Sequence, residues 1–114
     1  MYVQFNLHEV KIKMKDIIEM ASFLLTDGGS FYMVQKTERL IESIDELRQY
    51  RLFPKRIRYI YPKCNKESYI FLIEAVKNGS SHGLKIEEPL YIYNDKNEYS
   101  REVLEYFHYG EKNA

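Results

Sequence analysis

Asp27-Gly28-Gly29-Ser30-Phe31-Tyr32-Met33-Val34 reads as a glycine turn followed by a buried strand. Ser30 to Val34 is nearly continuous in apolar residues, the pattern of a strand covered on both faces. Upstream, Met14, Ile17, Ile18, Ala21, Leu24 and Leu25 recur at helical spacing. They predict a helix from about Lys13 to Leu25, with Gly28 or Gly29 in the left-handed position past its end. Tyr2 to Glu9 alternates weakly and reads as a short extended arm. Downstream, Thr37 is the expected N-cap of a second helix whose apolar stripe is Leu40, Ile41, Ile44 and Leu47. Pro54 marks where that helix must already have ended.

Arg56 to Tyr61 alternates, with Ile57, Tyr59 and Tyr61 on one side and Arg56, Arg58 and Ile60 on the other. The polar loop from Lys63 to Glu67 then leads into Tyr69-Ile70-Phe71-Leu72-Ile73-Glu74-Ala75-Val76, the most apolar strand of the chain. So short a loop predicts an antiparallel hairpin. The expected order is helix, strand, helix, strand, strand. Ser30 to Tyr61 forms a parallel crossover, and the strand from Tyr69 inserts antiparallel between its two strands. A short strand from Leu90 to Tyr93 and a last helix capped by Ser100 complete the reading.

With 114 residues, one domain is expected. Seventeen Lys and Arg against 17 Asp and Glu leave no net charge, so affinity for nucleic acid has to come from a local patch. A lone cysteine, Cys64, excludes an internal disulfide framework and fits a reducing compartment. The first residues lack the pattern of a secretory leader, and the apolar runs are too short to span a bilayer. A soluble, cytoplasmic protein without membrane contact is expected. Eleven tyrosines in the absence of tryptophan suit half-buried sheet faces more than a base-stacking platform.

Several blocks together resemble the bacterial valine-tRNA adenine-N6 methyltransferase-like family. They are His8-Glu9, Leu24-Leu25, Gly28-Gly29-Ser30-Phe31-Tyr32-Met33-Val34 and Arg39-Leu40. Further on come Pro54-Lys55-Arg56-Ile57-Arg58, Pro62-Lys63, Leu72-Ile73-Glu74-Ala75, Lys77-Asn78-Gly79 and Pro89-Leu90-Tyr91-Ile92-Tyr93, the last followed by Glu98-Tyr99-Ser100. The resemblance runs from about His8 to Gly110. It implies an α/β fold, the C-terminal half of a Rossmann-like S-adenosylmethionine-dependent methyltransferase, with parallel strands and an inserted antiparallel strand. It also implies tRNA as a partner, S-adenosylmethionine as the cofactor of the complete enzyme, and the N-terminal half of the domain as a further partner.

The family's glycine-rich turn after the first strand and its Asn-Pro-Pro-Tyr-type motif have no counterpart here; the one glycine pair, Gly28-Gly29, precedes a strand. The chain is therefore expected to be a single partial domain that neither binds the cofactor nor catalyses alone, with no catalytic, cofactor or metal residues of its own. The alternative is a free-standing interaction domain, either RNA-binding or self-associating through the strand edge at Ser30 to Val34.

The candidate RNA contacts are Lys55, Arg56, Arg58, Lys63 and Lys66, the densest basic cluster. An edge strand guarded by charge is the competing explanation of that cluster. Arg39 is expected in a surface ion pair, and Cys64, His82 and His108 as solvated bystanders. His8-Glu9 offers no metal-ligand spacing.

Overall fold

The computed structural model describes residues 2–4 and 13–113. Its centre is the group of three long strands that the sequence pattern predicted. β2 (Ser30–Lys36) and β3 (Leu52–Tyr61) flank β4 (Ile70–Lys77), which runs antiparallel to both. β1 (Tyr2–Gln4) pairs parallel with β2. On the far side of β3, the short strands β5 (Lys85–Ile86) and β6 (Leu90–Tyr91) both pair parallel with it. The order across the sheet is β1-β2-β4-β3-β5, with β6 further along β3. The inserted antiparallel strand thus lies where the sequence put it.

Three features of the sheet differ from the expectation. β2, read as a strand covered on both faces, is dry on one only: Phe31 and Met33 are buried, whereas Tyr32 between them is 39% exposed. The β2 edge is not open, because Tyr32, Met33 and Val34 pair with β1. β3 is not an edge strand, and it begins before Pro54. Proline lacks the N–H that a strand interior needs; here the register shifts between Pro54 and Arg56, so the proline sits at an irregularity.

Helices α1 (Met14–Leu24) and α2 (Leu40–Gln49) contribute to the core on one face of the sheet. Met14, Ile18 and Ala21 of α1 pack with Phe31, Met33, Phe71 and Ile73, and Leu47 of α2 closes the cluster. Burying a side chain such as Phe71 contributes roughly 1.5–3 kcal/mol. Leu24 stays exposed.

α2 departs from the expected stripe in a way helical geometry explains. Ser43 is buried and Ile41 is 72% exposed. Leu40, Ser43, Ile44 and Leu47 share one face, whereas Ile41 is rotated about 100° from Leu40. Ser43 is accommodated because its hydroxyl donates to the Arg39 carbonyl at 2.7 Å. Thr37 does not cap α2. It opens a 3₁₀ turn, Thr37–Arg39, and its hydroxyl bonds Ser68 at 2.9 Å.

The glycine turn has a structural task. Gly28 adopts φ 82° and donates to the Lys77 carbonyl, while the Gly29 carbonyl accepts from Lys77 N–H, both at 2.9 Å. The Lys77 ammonium reaches the carbonyls of Ser22 and Leu25, satisfying the end of α1. α1 itself ends in an extended residue, Leu25, so the left-handed glycine belongs to the following turn rather than to a helix cap.

On the opposite face, α3 (Arg101–Asn113) covers the carboxyl end of β3. Val103 packs with Ile60 and Leu90, and Ile70, Leu72 and Ile92 lie against them. The Ser100 hydroxyl accepts from Val103 N–H at 3.3 Å, the cap the sequence indicated. His8 and Glu9 lie outside the described residues.

Candidate functional site

The fold scatters the basic cluster over three places. Lys55, at the β3 irregularity, donates its ammonium to the carbonyls of Ser80 and His82 and ties down that loop. Arg56 and Arg58 stand on the face away from α1 and α2, at positions paired with Glu74 and Leu72. Lys63 and Lys66 lie in the loop beyond the carboxyl end of β3.

The two arginines are already engaged. Arg56 Nε donates to Glu74 Oε1 at 2.7 Å, and its Nη1 lies 3.7 Å from Glu87. Arg58 bonds Glu102 at 2.5 Å, Tyr106 at 3.0 Å and the Glu88 carbonyl at 2.9 Å, which fastens α3 to the sheet. Lys63 and Lys66 form no ion pair with a described residue. Arg39 forms the expected surface pair, a two-pronged contact with Glu42 at 2.9 and 2.7 Å.

Glu74 organises the uncovered part of this face. Besides Arg56, it accepts from the Tyr32 hydroxyl at 2.8 Å and from Ser30 Oγ at 3.0 Å. Burial alone would raise its pKa. The hydrogen bonds from Tyr32, Arg56 and Ser30 outweigh that and hold the carboxyl below its ordinary range. The same contact raises Arg56. Sequence reasoning missed Glu74, although the signal was there: a carboxylate within the most apolar strand needs a partner.

A groove of about 290 Å³ lies over this network, lined by Tyr32, Arg56, Arg58, Leu72, Glu74 and Glu87. A second cleft, about 390 Å³, opens where β2 ends and β4 begins, between Lys36, Glu38, Glu67, Ser68, Tyr69 and Ile70. Ligands of open parallel sheets bind at the carboxyl ends of the strands, the end to which Lys36 belongs.

Glu74, saturated with donors, is a poor proton acceptor at neutral pH. Cys64, His82 and His108 are exposed. Among the described residues, no three His, Cys, Asp or Glu side chains are grouped to hold a metal. The Gly28-Gly29 turn, among the described residues, does not fit S-adenosylmethionine, the cofactor that the sequence resemblance implies for the complete enzyme. The backbone of Gly28-Gly29 is committed to Lys77, and its turn enters a strand rather than leaving one. No described helix is long and apolar enough to cross a membrane.

A solved structure of a predicted O-methyltransferase from Agrobacterium tumefaciens matches this arrangement. The TM-score is 0.75 at 22% identity, over 91% of this chain and 49% of that one. The fold is methyltransferase-like. The chain spans about half the length of that protein. No protein-family model and no curated protein matches the sequence.

Proposed function

We propose that this chain is the C-terminal half of a Rossmann-like, S-adenosylmethionine-dependent methyltransferase domain that modifies RNA, the acceptor being the exocyclic amine of a tRNA adenine. The carrying observation is the sheet, with β4 antiparallel between two parallel strands and helices α1 and α2 contributing to one face. In this reading, the other half of the domain joins at the β1 edge of the sheet. Lys55, Arg56, Arg58, Lys63 and Lys66 are RNA contacts, with the two arginines exchanging carboxylate for phosphate when RNA binds. The acceptor class rests on the sequence blocks, since the structural likeness concerns fold alone.

Calorimetry with S-adenosylmethionine tests the reading. The isolated chain is expected to give no heat. The same chain joined by a separately expressed half bearing the glycine-rich turn and the Asn-Pro-Pro-aromatic motif is expected to bind stoichiometrically. Heat from the isolated chain, or none from the joined halves, overturns the proposal.

A second reading, a self-associating interaction domain, draws on α1. Its Met20, Phe23 and Leu24 are 54%, 86% and 60% exposed on one short helix. Concentration-dependent sedimentation supports it; a monomer at high concentration removes it.

A further inference from the structure

Beyond the ends of β3 and β4, the fold gathers aromatic rings that neither the core nor the Glu74 network uses. Tyr93 and Tyr99 form an isolated antiparallel bridge, and their rings stack at 5.5 Å with planes 15° apart. Phe107 of α3 meets Tyr99 edge-on at 5.3 Å. Tyr93, Tyr99 and Phe107 are 39%, 46% and 52% exposed. Two stacked rings braced by a third, yet still open to water, hold a fixed plane on which another planar group can lie.

The surroundings are polar and partly cationic. Tyr93 N–H donates to the Pro62 carbonyl at 2.9 Å, which brings Lys63 alongside, and Lys66 N–H closes the turn onto the Lys63 carbonyl. Tyr69 completes the patch. Its N–H donates to the Ile60 carbonyl at 3.2 Å, two residues before the Pro62 carbonyl that holds Tyr93, and its side chain is 47% exposed. Tyr69 also lines the strand-end cleft with Lys36.

A partner that matches exposed rings with lysines beside them is a chain of planar groups on an anionic backbone. Glu67, Asp95 and Glu98 are exposed in the same loops, so ring stacking has to carry more of the affinity than charge.

We propose that the Tyr93–Tyr99 stack, extended by Tyr69 and flanked by Lys63, is a stacking surface for unpaired bases of single-stranded RNA. The proposal rests on the RNA part of the function proposed above and not on cofactor binding.

Fluorescence anisotropy on the full chain tests it, with a labelled single-stranded oligouridylate and a blunt RNA duplex of equal length as probes. The single strand is expected to bind more tightly, with a shallow salt dependence. Tyr93→Leu and Tyr99→Leu are each expected to weaken it about tenfold, in the range for losing one base–aromatic stack. Tyr93→Phe, which keeps the ring, is expected to bind like the parent. Where a leucine variant fails to fold, quenching of tyrosine fluorescence in the parent by bound oligonucleotide takes its place.

Folded leucine variants that bind normally, equal affinity for duplex and single strand, or unquenched tyrosines overturn the surface. If tRNA binding then depends on Lys55, Arg56 and Arg58 but not on the rings, the RNA acceptor stands and the stacking surface alone is lost. A chain that binds no RNA overturns both and leaves the methyltransferase reading to calorimetry.

Discussion

On the face toward α1 and α2, Phe31, Met33, Phe71 and Ile73 align across β2 and β4 with at most 2% of their surface exposed. On the opposite face, the residues that alternate with them are Tyr32, Val34, Leu72 and Glu74, part-buried or exposed. The same two strands therefore present a dry interior on one side and a hydrogen-bonded carboxylate on the other. A side-chain period of two allows this, because adjacent residues in a strand meet different surroundings. The first face needs only shape and apolarity. The second keeps a charge that is tolerable because three donors satisfy it.

The sharpest way to break the contrast is at the dry face. Phe71→Ala is expected to cost about 3–5 kcal/mol in chemical denaturation, through lost burial and a cavity. A loss below about 1 kcal/mol would show that the α1–α2 face is not the core.

Next comes the network. Glu74→Gln keeps the shape but removes the charge that Arg56 faces, and is expected to cost on the order of 1–3 kcal/mol. Glu74 also sets a pH dependence. Its folded pKa lies below the ordinary 4.5, so the unfolded chain takes up the proton first as pH falls. The stabilisation is complete above that value and declines as pH drops through the folded pKa. Urea midpoints measured from pH 6 downward should fall more steeply for the parent than for Glu74→Gln; parallel curves would remove Glu74 as the cause.

A smaller effect is expected where α3 joins the polar face. Arg58→Met removes the contacts to Glu102, Tyr106 and the Glu88 carbonyl, with a global cost of about 0.5–1.5 kcal/mol for a part-buried arginine whose carboxylate partner is 43% exposed. Its signature is faster amide exchange in α3, with β2 and β4 unchanged. Exchange unaltered in α3 would mean that Val103 and its apolar neighbours hold the helix alone. The smallest effect belongs to Ile41→Ala, within about 0.5 kcal/mol. Leu47→Ala, two turns along the same helix but buried, serves as its contrast, with an expected loss of about 2–5 kcal/mol.

Much of the fold was legible before the structure. The run from Tyr69 to Val76, the most apolar in the chain, identified the central strand, even though Glu74 interrupts it and only one of its faces is dry. The short polar loop before it fixed its antiparallel sense. Candidate-site residues were less legible. Lys55, Arg56 and Arg58 are neighbours in sequence, but the irregularity at Pro54 and the alternation of β3 send Lys55 to one loop and the arginines to the open face. Glu74 stood in plain view, yet its partners Ser30, Tyr32 and Arg56 come from other strands.

The sequence by itself determined the periodic features: which stretches are helical, which strands are apolar, and that Ser100 caps α3. These depend on residues close together in the chain. The tertiary structure decided what depends on distant neighbours. It paired β1 with β2 and closed an edge that the pattern left open. It also put Ser43 in the core in place of Ile41 and matched Glu74 to its three donors. Local spacing constrains a residue's direction, but only the assembled sheet supplies the group it meets.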